Sequence, residues 1–225
     1  REELQRRAET LSILLQHHTG HLERLRDTTE VLLGGGVTPS PPPWDLLADG
    51  PDGPYVMLSA GQDQARRGVF FRLGTKDALR TDPDGQRRVG LYMYLLGILR
   101  IEYGVHPALV TTWFRRFGEA VVIYPGISPA HFRAAYHDVE VVEQLTLDTL
   151  GMPFWARLRA EVNPAGVPFW THPYVDILGK GIAVTYAAPV RVRGQVVGMV
   201  GTDVLLNELG GLMLPPSRTG GRFLL

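Results

Sequence analysis

The chain has 225 residues, which is long enough for one sizeable domain or two small ones with a proper core. Its 44% apolar and 20% charged residues are typical of a folded protein and exclude a disordered one. The 23 basic residues balance the 23 acidic ones, so no net field attracts nucleic acid or an anionic membrane. The absence of cysteine excludes disulfides and thiolate chemistry.

Residues 2–33 are predicted to form one long amphipathic helix, which the glycines at 34–36 end. Such a helix can pack along a sheet, pair with a second copy of itself, or do both. The side chains that recur at helical spacing are Leu4, Ala8, Leu11, Leu14 or Leu15, His18, Leu22, Leu25, Thr29 and Leu32.

The proline-rich stretch 38–54 is predicted to be an extended loop. Short strands are predicted over 55–58 and 69–73, followed by a turn at 82–85 and an apolar helix over 88–103. Residues 109–117 and 120–124 predict a hairpin across Gly118-Glu119, because glycine suits a tight turn. Residues 130–145 and 153–161 are predicted to be helical.

The segment 170–206, WTHPYVDILGKGIAVTYAAPVRVRGQVVGMVGTDVLL, is the most informative part of the chain. It predicts two apolar strands, 182–190 and 196–206, joined by a tight turn at Arg193-Gly194-Gln195. Asp176 lies just before the turn at 178–181 that leads into the first strand, and Asp203 lies within the second strand. A buried carboxylate is costly unless something pairs with it, so Asp203 either faces a partner or brackets a loop.

These elements predict an α+β fold, a PAS-like antiparallel sheet packed on the long N-terminal helix. The expected organisation is a helix over 1–36, a ligand-binding module over 37–210, and the start of a following membrane-proximal segment over 211–225. Both ends of the chain suggest a piece of a longer protein.

Several short motifs together resemble double Cache domains, the PAS-like extracytoplasmic sensors of bacterial chemoreceptors, histidine kinases and diguanylate cyclases. The resemblance covers roughly residues 109–210 and is weak before them. Its motifs are WTHPYVD at 170–176, Pro189-Val190, Gly194, GMVGTD at 198–203, the hairpin WFRRFGEAVVIYP at 113–125, and Met152-Pro153-Phe154-Trp155.

The resemblance implies a periplasmic ligand-sensing domain of an inner-membrane receptor, without enzymatic activity or a cofactor of its own. It also implies a small-molecule ligand and membrane tethering in the full-length protein. The amphipathic N-terminal helix predicts, in addition, a homodimer formed through that helix. Which output domain follows is left open. The alternatives are a dimerisation module without a ligand and, less favoured, a soluble hydrolase that uses the two aspartates.

The resemblance also assigns ligand-binding residues. Asp176 and Asp203 fall at positions that hold a ligand's ammonium group, and Phe154 and Trp155 fall at aromatic positions. Met152 replaces the arginine that binds a carboxylate, which favours an amine-containing ligand without one unless another arginine substitutes for it. The candidates for that substitution are Arg115 and Arg157, and further lining residues are Trp113, Tyr124 and Tyr174, with Phe117 beside them.

His17 and His21 lie four residues apart on the predicted helix, a spacing at which two imidazoles can share a metal. No carboxylate is predicted on the same face, so a polar helix surface or an interface is favoured and no metal is predicted.

Overall fold

A computed structural model describes residues 2–50, 56–58, 69–71, 74–105, 111–126, 157, 161–176 and 180–207. Its helices are α1 (Glu2–Leu33), a 3₁₀ turn (Trp44–Leu46), α2 (Lys76–Thr81) and α3 (Pro83–Val105). The strands are β1 (Leu47–Asp49), β2 (Val56–Leu58), β3 (Val69–Phe71), β4 (Thr111–Arg116), β5 (Ala120–Tyr124), β6 (Phe169–Trp170), β7 (Tyr174–Val175), β8 (Ile182–Val192) and β9 (Gln195–Leu205). Within these ranges, no helix combines the length and apolar character needed to cross a membrane.

The described strands form one antiparallel sheet in the order β1-β2-β3-β5-β4-β9-β8-β6, with β7 also paired to β8. The predicted α+β class is therefore confirmed. The long strands β8 and β9 are joined by Arg193-Gly194, whose φ angles of 52° and 81° are both left-handed. Such angles fit the right-handed twist of a tight hairpin, as the sequence predicts.

The N-terminal helix has the predicted bounds and packs through its second half. His18, Leu22, Leu25 and Leu32 of the predicted stripe are buried, and His21 is buried beside them. No side chain from position 5 to position 17 is buried among the described residues. The helix therefore contributes to the core only from His18 onward, where it lies against β8 and β9.

The main core lies between α1 and α3 on one side and one face of the sheet on the other. Leu99 of α3, Phe114 of β4 and Val200 of β9 are all fully buried in it. Such apolar packing accounts for most of the stability of a helix in this position, because a helix gains little from its intrinsic propensity alone.

The sequence misplaces the start of α3. The helix begins at Pro83, because the carboxylate of Asp82 accepts the amides of Asp84 (3.1 Å) and Gly85 (2.9 Å) and so caps its first turn. The predicted turn at 82–85 is therefore wrong, since Asp-Pro also begins helices.

Short elements in polar segments were missed as well. The predicted loop over 38–54 contains the 3₁₀ turn and β1, and α2 precedes α3. β1 pairs with β2, and the Lys76 ammonium donates to the carbonyl of Leu47 at 2.8 Å. The predicted helix over 130–145, the predicted helix over 153–161 apart from Arg157 and Glu161, and the segment 211–225 lie outside the described residues.

Candidate functional site

The two faces of the central sheet differ in chemistry. Side chains alternate along a strand, so Thr111, Trp113 and Arg115 of β4 lie on one face and Thr112, Phe114 and Arg116 on the other. We call the first the acidic face, defined by Thr111, Trp113, Thr185 and Asp203. The opposite side, against which α1 and α3 pack, is the helix face.

Asp203 is 7% exposed and lies at the centre of the acidic face. Its carboxylate accepts hydrogen bonds from the hydroxyl of Thr111, from Thr185 at 2.7 Å and from the Trp113 indole N–H, which is 3.1 Å from both oxygens. The Tyr174 hydroxyl adds a longer bond at 3.3 Å. Neutral donors from three neighbouring strands therefore surround the charge, and no cation pairs with it within the described ranges.

Burial raises the pKa of Asp203 above its ordinary value, and the hydrogen bonds from Thr111, Thr185 and Trp113 oppose that rise. The negative charge of Asp176 raises the pKa further. A desolvated carboxylate gains a proton more readily, whereas donors that bond the ionised form resist this.

The position of Asp203 decides between the two readings that the sequence leaves open. Asp203 lies within β9, two residues before its end, directly opposite Thr111 and Thr185 on the flanking strands, and does not bracket a loop. The partners are separated from it by 92 and 18 positions in the chain, so only the strand register brings them together.

Gly201 makes room for the indole that reaches Asp203. A Cβ atom at this position would lie 2.4 to 2.8 Å from atoms of the Trp113 ring, which crosses the strand there. The ring also packs with Phe169, Ala187 and Met199. In the sequence Gly201 is visible only as part of the GMVGTD motif, because Trp113, whose ring crosses it, lies on another strand.

Tyr174 and Asp176 extend the acidic face beyond β8. The Tyr174 hydroxyl lies 2.6 Å from the hydroxyl of Thr185, and burial, with the charge of Asp203, raises the pKa of the phenol above its ordinary value. Asp176 is 5% exposed and accepts the backbone N–H of Lys180 at 3.2 Å, while its own N–H donates to Gly181 at 2.8 Å. The described ranges contain no ion pair to Asp176.

The other predicted site residues divide between the faces. Arg115 is half-buried on the acidic face, two positions from Trp113, and Phe117 follows the end of β4 with its ring partly exposed. Tyr124 lies on the helix face, where it meets the ring of Tyr103 edge-on at a centroid distance of 5.3 Å. The structure therefore does not bring Tyr124 to Asp203.

Arg157 approaches the acidic face from outside the sheet. Its guanidinium carbon is 5.6 Å from the ring centroid of Phe169, which packs against Trp113. Phe154, Trp155 and Met152 lie outside the described residues.

The histidine pair does not form a shared site. His17 is exposed, whereas His21 is buried and bonds Glu102 and Thr112. No group of metal-binding side chains is found among the described residues.

Residues 137–211 match the family described as methyl-accepting chemotaxis protein-like, first PDC sensor domain, and this stretch includes Asp176 and Asp203. No curated protein matches the chain.

Solved structures similar to the chain include three sensory domains. One, from the Campylobacter jejuni chemoreceptor Tlp3 with isoleucine bound, is 15% identical, and the similarity covers 61% of this chain and 47% of that one at a TM-score of 0.38. A second is the ligand-binding domain of the Pseudomonas aeruginosa chemoreceptor PctC with GABA. It is 16% identical, and the similarity covers 54% of this chain and 49% of that one at a TM-score of 0.36. The third is the ligand-binding domain of the Pseudomonas fluorescens chemoreceptor CtaA with L-serine. It is 16% identical, and the similarity covers 64% of this chain and 50% of that one at a TM-score of 0.36.

The chain spans about half the length of these solved domains. The family match covers the later part of the segment whose motifs resemble Cache sensors, including β8, β9 and both aspartates, and leaves out the hairpin at 113–125. Residues 137–211 are thus similar to a sensor domain of the PDC, or Cache, type.

Proposed function

We propose that this chain is the extracytoplasmic ligand-sensing domain of a bacterial transmembrane receptor and that its ligand binds at the acidic face. One observation supports this most directly. Two buried carboxylates, Asp176 and Asp203, lie with Trp113 and Tyr174 on the sheet face opposite the core helices, and the sensor-domain match includes both aspartates.

The aspartates differ in their capacity to accept a ligand. Asp203 already accepts hydrogen bonds from four side chains, whereas one backbone amide is the described donor to Asp176. A buried carboxylate without a cationic neighbour favours an ammonium group, because pairing offsets the cost of desolvation. Asp176 is therefore the proposed contact for an amine-containing ligand, with Trp113 as an aromatic wall.

A paired acid and base, which a hydrolase of this kind requires, is not supported by this geometry. A general acid or base must exchange a proton with substrate, and the oxygens of Asp203 are occupied by Thr111, Thr185 and Trp113. The sensing function needs no such exchange. It requires only that the ligand bind one arrangement of the face more tightly than another.

Membrane tethering and dimerisation belong to the same proposal. The N-terminal part of α1, up to position 17, contributes no buried side chain among the described residues, and Ile13 there is 57% exposed. We expect a second copy of this helix to cover that surface. Analytical ultracentrifugation of the chain and of Ile13→Glu tests this, and a chain that stays monomeric at high concentration contradicts it.

The test of ligand sensing is a thermal-shift screen with amines, amino acids, organic acids and sugars. A ligand at 100 times its Kd adds about 2.7 kcal/mol to stability, which for a domain of this size raises the melting temperature by roughly 5–11 °C. We expect a saturable shift in the wild type that Asp176→Ala abolishes. Glu23→Ala is the matched control, because it removes an exposed carboxylate from the surface of α1.

The outcomes separate the alternatives. No shift with any compound, from a well-folded protein, contradicts ligand sensing and favours a dimerisation module. A saturable shift that persists in Asp176→Ala supports sensing but overturns the proposed role of Asp176.

A further inference from the structure

Three neighbouring strands carry polar residues in two rows that lie back to back. On the acidic face, the row Thr111, Asp203 and Thr185 runs across β4, β9 and β8 at one register position. The adjacent position on each strand forms the second row, on the helix face. Its members are Thr112, Thr202 and Tyr186.

The second row meets α1 through polar contacts. The Nε2 atom of His21 lies 3.4 Å from the Thr112 hydroxyl, and its Nδ1 atom lies 2.8 Å from Glu102 of α3. Thr19, two positions before His21 on α1, interacts with the phenol of Tyr186. Thr202, between these contacts, is fully buried, and its hydroxyl finds no partner in the described part of the chain.

Polar contacts of this kind fix the position of a helix more narrowly than apolar ones. Apolar contacts such as those of Leu22 and Leu25 are non-directional, so they tolerate small displacements of α1 along the sheet. A hydrogen bond to Thr112 weakens steeply when its angle or length changes. The polar row therefore distinguishes one position of α1 from its neighbours.

The two rows are joined covalently. Thr111 and Thr112 share a peptide unit, as do Thr202 and Asp203, so a shift of β4 or β9 at one row moves the other. A close-packed core passes such a displacement on instead of absorbing it.

We propose that this double row couples the acidic face to α1 and that His21 and Thr112 act as positioning residues at its helix end. The proposal rests on the proposed function in one respect, namely that α1 relays the effect of a bound ligand. The coupling itself needs no ligand, because it states only that the hydrogen bonds of Asp203 depend on the contact between Thr112 and α1.

The Trp113 indole N–H provides a direct readout, because it bonds Asp203 from the acidic face. Thr112→Val removes the hydroxyl on the helix face at nearly constant volume. We expect the indole resonance in ¹H–¹⁵N spectra to shift and the hydrogen exchange of the indole N–H to become about fivefold faster. A factor of about five is the lower end of the effect that one coupled site has on another. Thr112→Ser restores the hydroxyl and should restore both values.

Leu25→Val is the matched control, since it perturbs an equally buried contact of α1 that is apolar. It should lower stability and leave the Trp113 indole signal unchanged. An unchanged signal in Thr112→Val, or an equal change in Leu25→Val, overturns the proposal.

Coupling is reciprocal, which gives a second measurement if Thr112→Val fails to fold. Thr185→Val, on the acidic face, should then shift the imidazole resonances of His21, and their constancy overturns the proposal. Neither measurement uses a ligand, so a negative thermal-shift screen contradicts the proposed function without deciding the coupling.

Discussion

Replacing Gly201 by alanine tests whether the acidic face is built around the Trp113 ring. The added Cβ would lie 2.4 Å from the nearest indole atom, closer than any tolerated contact, so the ring must move. The ring cannot move cheaply, because it packs with Phe169 and Met199 and bonds Asp203 at 3.1 Å.

The magnitude follows from two losses. Overpacking of a filled site costs about 1–3 kcal/mol, and a hydrogen bond to a charged group contributes about 1.5–3 kcal/mol. We expect Gly201→Ala to lower the free energy of unfolding by about 2–5 kcal/mol, because the two losses overlap. Urea unfolding followed by tryptophan fluorescence measures the change.

Gly97→Ala in α3 is the matched control, since nothing lies within 4 Å of the added Cβ and alanine favours a helix. It should be neutral or stabilise by about 0.5–1 kcal/mol. In a Trp113→Leu background the cost of Gly201→Ala should largely disappear, because the clashing ring is gone. A full cost in that background, or none in the wild type, refutes the reasoning.

Three further predictions concern the core, a polar cluster and pH. Leu25→Ala should lose about 2–5 kcal/mol in urea unfolding, because the side chain is 1% exposed; a loss below 1 kcal/mol contradicts the packing of α1. Glu119→Gln should lose about 1–3 kcal/mol by the same measurement, since its carboxylate accepts the Tyr92 hydroxyl at 2.5 Å; an unchanged midpoint argues against that bond. Burial lowers the pKa of His21 below 6.5, so the unfolded chain binds more protons and stability should fall as the pH drops below about 6.5. His21→Gln should reduce that fall between pH 7.5 and 5.5, and an identical pH profile contradicts the pKa shift.

Local patterns were sufficient to predict much of the fold. The helical spacing of residues 2–33, the glycine-containing turns at 118 and 194 and the apolar runs of β8 and β9 all appear where the sequence placed them. These elements depend on contacts between residues near one another in the chain. The start of α3 was misplaced because the same Asp-Pro pair can begin a helix or form a turn.

Sequence motifs identified the sensor-domain resemblance and marked Asp176 and Asp203, and the family match covers both. They could not show that Asp203 is occupied by Thr111, Thr185 and Trp113. Hydrogen bonds of this kind depend on the register of three strands, and a shift of one residue would turn every partner to the opposite face.

The placement of Tyr124 illustrates the same limit. Its position in a hairpin next to Trp113 suggested one shared pocket, yet Tyr124 pairs in register with Thr112 and so lies on the helix face. The sequence by itself determined which segments are helix or strand and which residues carry charge. Only the tertiary structure decided which side chains meet, because the register of a strand, and with it the sheet face on which each side chain lies, is set by strands distant in the chain.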